Sequence, residues 1–298
     1  MDEKVHTRGD NTLELEVAHA RQGDRDALEA VISAVHQDVY RVALHFLWHP
    51  EDAEDAAQEI LTRVITGLSG FRGESSFRTW VYSVARNTLL TLGRKRMERR
   101  AMSFEEFGVD LGRGLSDDPL SKGRGVEEVL LLEEVKIGCT LAMLLCLDRE
   151  HRMAYILGEI IELDHREGAD VMGITPAAFR KRLSRARKRI TALMTSRCGL
   201  AEPANRCRCR RRAGTAIDLG RVDPDNLLFA SSAEQARRFP QVLKEIRGLE
   251  KARRAAALYR SHTKPVAARS FASWLRRVLD EDRGPGDGAG PDKRKKGR

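Results

Sequence analysis

The chain has 298 residues, too many for one small core, so two or three compact units are expected. Aromatic residues make up only 5% and charged residues 33%, which suits small helical domains with broad solvated faces and argues against a large sheet protein. A formal net charge of +9 draws the molecule to a polyanion, and no apolar run reaches the ~18 residues of a membrane span.

The opening MDEKVHTRGDN lacks the apolar core of a signal peptide, so a cytosolic protein is expected, with residues 1–12 loose. From Leu13 to Trp48 apolar positions recur at three and four (Leu28, Val31, Ile32, Val35, Val39, Val42, Phe46), the period of an amphipathic helix, and His49-Pro50 ends it. A second helix starts near Glu51, with acids in its first turn and Ala53, Ala56, Ala57, Ile60, Leu61 and Val64 inward. A third runs from about Ser76 to Arg94 with Phe77, Trp80, Val81, Val84, Leu89 and Leu92 inward. Residues 13–98 thus form one helical domain.

Residues 99–125 include GVDLGRGLSDDPLSKGRG, rich in glycine and without periodicity, and read as a linker. A second helical domain covers 126–196. Its last two helices are joined by MGIT, with Gly173 at the stop, Thr175 as N-cap and Pro176 at the first helical position, a helix-turn-helix pattern. Residues 197–282 are Cys- and Arg-rich and then helical, over Val242 to Tyr259 and Phe271 to Leu279, and 283–298 form a disordered basic tail. The fold class is all-α: two small helical domains and a mainly helical C-terminal extension.

The chemistry concentrates in GITPAAFRKRLSRARKRI, where seven of the ten residues from Arg180 to Arg189 are basic. On a helix from Pro176, Phe179, Leu183, Ala186 and Ile190 form one apolar seam. Thr175, Ala177, Arg180, Lys181, Ser184, Arg185 and Lys188 are left for DNA: small and polar residues for base edges, Arg and Lys for phosphates. A structureless basic arm would need no seam, and a merely solvated face mixes signs, whereas no acidic residue lies between Asp170 and Glu202.

The run PEDAEDAAQEILTRVITGLSGFRGESSFRTWVYSVARNTLLTLGRKR closely resembles region two of bacterial RNA polymerase sigma factors, and LGEIIELDHREGADVMGITPAAFRKRLSRARKRI resembles their region four. Both blocks in this order point to the two-domain extracytoplasmic-function (ECF) group. The resemblance implies core RNA polymerase and promoter DNA as partners, with an anti-sigma factor as a further candidate, and no catalysis or required cofactor. It implies that Asp52, Asp55, Gln58 and Glu59 meet the polymerase clamp helices. It also implies that Arg78, Tyr82, Arg86, Asn87, Arg94 and Lys95 engage the opened minus-ten element, with an exposed Tyr stacking on bases. The residues from Thr175 to Lys188 named above would then read the minus-thirty-five element. Many relatives carry an acid shortly after the Asn matching Asn87, whereas this chain reads NTLLTLGRKR, which bears on promoter preference. In the linker, Asp110, Asp117 and Asp118 could imitate nucleic-acid charge, or the segment is a plain tether.

Cys198, Cys207 and Cys209 are three soft ligands where a closed zinc site wants four, and His262 is a candidate fourth if the extension folds back. The flanking arginines would favour thiolate, so metal binding, oxidation sensing and ordinary cytosolic thiols are the three readings. Cys139 and Cys146 sit on an apolar helix pattern and read as core. The extension beyond has no legible motif and reads as an added regulatory module. Two rivals remain to weigh. A helix-turn-helix regulator acting without the polymerase would leave the acidic helix unexplained, and a nucleic-acid enzyme lacks any hydrolase or phosphate-cradling motif.

Overall fold

The computed structural model describes residues 3–97, 102–116, 128–262, 274–275 and 277–278; for 3–11 and 93–97 that description is of the backbone. Among the described residues all regular structure is helical, apart from one isolated bridge between Cys198 and Cys207.

The long periodic stretch before Pro50 is two helices, α1 (Glu3–Arg21) and α2 (Arg25–Leu47). Gly23 makes the break in the left-handed region (φ 93°), and Asp24 caps α2 by accepting the Ala27 N–H at 3.1 Å. Helix α1 therefore includes residues expected to be loose, its C-terminal half anchored by buried Leu13 and Val17. Helix α2 ends at Trp48, itself left-handed (φ 74°). Its N–H returns to Leu44 O at 2.8 Å and its indole N–H donates to Gly138 O at 3.1 Å. Those bonds hold a conformation that costs a non-glycine residue about 1–3 kcal/mol.

Helix α3 (Pro50–Gly67) and α4 (Phe77–Met97) complete the first unit. Glu14 of α1 accepts the Phe77 N–H at 2.8 Å, capping α4, and Trp80 packs in a cluster with Phe71 and Phe77. Leu92, expected inward, is exposed: α4 outruns the helices it packs on.

The linker is not structureless. Ser103 and Glu106 form a reciprocal capping box that starts α5 (Phe104–Gly112). Asp110 of α5 is not presented as a nucleic-acid mimic. It is held by Arg212 at 2.6 Å and by Arg221 at 2.6 Å, both from the extension, and these guanidinium groups keep its carboxyl below the usual range. Asp117 and Asp118 lie outside the described residues.

The second unit comprises α6 (Glu128–Leu144), α7 (Arg149–Tyr155), a π-turn at Ile156–Ile160, α8 (His165–Met172) and α9 (Pro176–Arg197). The extension adds α10 (Cys209–Asp218), α11 (Ala233–Gly248) and α12 (Lys251–Arg260). The single helix expected over Val242–Tyr259 breaks at Leu249, which turns extended after the poor helix former Gly248. The buried Glu134 of α6 ties the extension down by accepting the N–H groups of Leu228, Phe229 and Ala230 at 2.8–2.9 Å. Trp274 and Leu275 are buried in the same core as the first two units; the basic tail lies outside the described residues.

The units do not stand apart. Helix α4 packs on α8, Arg41 of α2 donates to Ile160 O at 2.9 Å, and Arg149 of α7 donates to Leu89 O of α4 at 3.1 Å. Helix α12 packs on the second unit, against α9, the π-turn and α6, and its Tyr259 ring lies 6.4 Å from that of His45 in α2. Tyr259 donates to Thr140 O at 2.9 Å and packs edge-on against Tyr155, and Arg260 donates to Glu159 O at 2.7 Å. His262, just beyond α12, stacks on His45 of α2 with ring centroids 5.9 Å apart.

Candidate nucleic-acid and polymerase interfaces

Helix α9 is placed by its turn. Gly173 ends α8 in the left-handed region (φ 62°), Thr175 accepts the Ala178 N–H at 3.2 Å, and Pro176 starts the helix. Phe179, Leu183, Ala186 and Ile190 are all buried, forming the seam. Close crossing of α8 and α9 depends on Gly168, where a Cβ would stand 2.3 Å from the Phe179 ring. Gly168→Ala should therefore destabilise the fold by about 1–3 kcal/mol, read as a lower urea midpoint at unchanged m-value.

The seam leaves Thr175, Ala177, Arg180, Lys181, Ser184, Arg185 and Lys188 exposed. The basic run is divided by its neighbours. Arg182 turns back to Glu150 at 2.6 Å and Arg187 to Glu159 at 2.8 Å, so these two fix α9 to α7 and the π-turn. The rest form a surface that can grip phosphates.

On α3, Asp55 is exposed while Asp52, Gln58 and Glu59 are half-buried, and Glu59 accepts from Arg63 at 2.6 Å. Three of the four therefore offer part of their polar surface and Asp55 most of it.

Helix α4 differs from expectation at one position. Tyr82 is 5% exposed, covered where α4 meets α8, and burial together with Asp38 pushes its phenol up. It cannot stack on a base in this arrangement. Arg78 is half-buried and paired with Asp38, Arg86 donates to Asn87 Oδ1 at 2.8 Å, and Asn87 is exposed. The side chains of Arg94 and Lys95 lie outside the described residues.

The thiols also depart from expectation. Burial pushes Cys198 up, Cys207 up to about 11, and Cys209 further, the reverse of thiolate activation. The nearby arginines are engaged elsewhere: Arg210 with Glu128 at 3.1 Å, Arg212 with Asp110, and Arg208 with the Pro203 and Cys207 carbonyls at 2.6 and 3.0 Å. His262 is no partner of these sulfurs, since its Nε2 bonds Thr140 Oγ1 at 2.8 Å. Among the described residues no His, Cys, Asp or Glu group is arranged as a metal cage, and no helix is long and apolar enough to cross a membrane.

Comparison with known proteins agrees with both halves of this geometry. The Sigma-70 region 2 family model matches residues 31–99 and the Sigma-70 region 4 model residues 137–190. RNA polymerase sigma factor YlaC of Bacillus subtilis strain 168 is 29% identical over 57% of this chain and 94% of its own length. ECF RNA polymerase sigma factor SigC of Mycobacterium tuberculosis strain CDC 1551 is 30% identical over 58% of this chain and 86% of its own. Among solved structures, CnrH in complex with the cytosolic domain of CnrY aligns with a TM-score of 0.44 and 22% identity, covering 61% of this chain and 96% of that one. With a basic helix divided between packing and an exposed face, an acidic first-unit helix and relatives matched over most of their length, the chain belongs to the ECF sigma factors of RNA polymerase.

Proposed function

We propose that this sigma factor docks on core polymerase through Asp52, Asp55, Gln58 and Glu59, engages the minus-ten element with Arg78, Tyr82, Arg86, Asn87, Arg94 and Lys95, and reads the minus-thirty-five element with the exposed face of α9. It performs no reaction of its own and acts where polymerase and DNA are, in the cytoplasm. The observation that carries the reading is the segregation on α9 of a buried apolar seam from an exposed face holding Thr175, Ala177, Ser184 and four basic residues.

The closed packing supports a second element, an extension that restrains initiation. The two promoter elements lie about 25 base pairs apart, ~85 Å at 3.4 Å per pair. Helices α4 and α8 in mutual contact cannot span that length, and Tyr82 is covered between them. Promoter engagement then requires the units to separate, breaking the contact of Tyr259 and His262 with His45 of α2. An anti-sigma protein would be a competitor for the same surfaces.

The test is run-off transcription with core polymerase on a promoter library, using the full chain and the Arg180→Ala/Lys181→Ala variant. The wild type should start transcripts from a defined subset. The variant should lose at least about tenfold on those promoters, since each phosphate or base contact is worth on the order of 1 kcal/mol or more. Equal output from both would remove α9 as the reader; DNA binding with no transcripts would mean either a regulator that works without the polymerase or an extension holding the chain inactive, and the same assay on residues 1–197 would tell those apart.

A further inference from the structure

We propose that Cys139, Cys198, Cys207 and Cys209 form a four-thiolate site for one thiophilic divalent metal ion, zinc by chemistry, that staples the root of the C-terminal extension to α6 and to the end of α9. This does not depend on the roles assigned above to the DNA-reading helices.

Three soft ligands were legible in the sequence. The fold supplies the fourth from a different helix. Cys139 of α6, Cys198 at the end of α9, Cys207 in the connecting loop and Cys209 at the start of α10 line one cavity of about 20 Å³. That is room for the centre of a single water-sized species. The backbones of Cys198 and Cys207 are already tied by the bridge, with Gly199 N–H donating to Cys207 O at 3.0 Å.

A second observation concerns the turn after Cys198. The N–H groups of Leu200 and Ala201, two and three residues on, both donate to the Cys198 sulfur. Donors aimed at a sulfur stabilise thiolate, the form a metal requires.

The surroundings suit the charge. Four thiolates on a divalent ion carry net −2, and Lys136 and Arg212 line the same cavity with Arg208 close to Cys198 and Cys207. Lys136 also pairs with Glu133 at 2.6 Å and Arg212 with Asp110, so the compensation is partial. The remaining cavity wall is apolar or amphipathic, from Leu111, Val135, Met143 and Leu200 among others, which limits solvent access. Binding forms four metal–sulfur bonds and releases the four thiol protons to solvent, with no change of oxidation state. The raised thiol values then describe the protonated cluster that the ion would convert, not a barrier to it. As the side chains stand they do not form a ligating cage, so the ion would have to draw the four sulfurs together within the shared cavity.

The test uses the full chain, purified under reductant and stripped with a chelator, then titrated with Co²⁺ as a spectroscopic probe. Expected are one equivalent of tightly bound Co²⁺, the intense visible bands of tetrahedral tetrathiolate cobalt, and displacement by Zn²⁺. Cys139→Ser and Cys209→Ser should each weaken binding by more than ~100-fold, beyond the 10–100-fold that an outer partner is worth. Cys146→Ser should change nothing, as Cys146 does not line the cavity. The wild-type spectrum needs no variant to fold, so it decides the site by itself. Failure of the wild type to bind one equivalent, an undiminished spectrum in Cys139→Ser, or a Cys198–Cys207 disulfide in chain isolated under anaerobic conditions would each overturn the proposal.

Discussion

Arg152→Leu should cost about 3–5 kcal/mol of stability, the range seen when a buried charged partner is removed from the groups it satisfies. Arg152 is 3% exposed and spends its donors on carbonyls: Nε on Leu144 at 2.9 Å, Nη1 on Phe46 at 3.0 Å, and Nη2 on Leu145 and Leu147 at 3.1 and 2.8 Å. Leu144 is the last residue of α6 and Leu145 follows it, so two of these carbonyls stand at the helix end, and Leu147 lies in the bend just beyond. A cation at a helix C-terminus gains further from the dipole. The fourth carbonyl belongs to α2, so one side chain closes α6 and joins the two units. Leucine fills similar space and satisfies none of the four. Lysine keeps the charge but not the planar fork, and should recover only part of the loss. Urea unfolding of the three chains settles this: a loss below about 1 kcal/mol for leucine would mean that water reaches those carbonyls.

Arg152 was not legible in the sequence, and the reason is general to this chain. What periodicity and turn chemistry specify locally is present: the seam of α9, the Gly173–Thr175–Pro176 turn, and α3 opening at Pro50 with acids in its first turn. The break at Gly23–Asp24 and the Ser103–Glu106 box had local signals too, masked by a continuous apolar period in one case and by surrounding glycines in the other. Tyr82, Asp110 and Cys139 had none. Their environments are made by elements far along the chain, α8 for Tyr82, α10 for Asp110 and the Cys198–Cys209 loop for Cys139. An aromatic on a helix that must meet DNA looks the same whether or not the chain's own second unit covers it.

That covering is what the second large effect probes. Lowering the pH from about 6.5 towards 4 should weaken the packing around α12, because two histidines there are held neutral. His45 Nδ1 donates to Arg41 O at 2.7 Å, and burial lowers its value to about 4; His262 is lowered well below 6.5 by burial and by His45. Thr140 directs its hydroxyl to Lys136 O at 2.9 Å, so the His262 Nε2–H donates to Thr140. Arg41 faces both rings and Lys136 faces His262, so protonation of either ring adds a like charge in a buried place. Because the folded values lie below the unfolded value, the stabilisation is complete above about pH 6.5 and is lost as pH falls through the folded values. The shift at His45 corresponds to roughly 3 kcal/mol. His36, also lowered to about 4, adds a background that the double variant His45→Gln/His262→Gln retains. Between pH 7.5 and 5 the wild-type urea midpoint should fall more steeply than that of the variant, and hydrogen exchange should place the first amides to open in α12. Parallel pH profiles would mean that the stacked pair tolerates charge, and early exchange elsewhere would mean that the His45–His262 contact is not where the packing first opens.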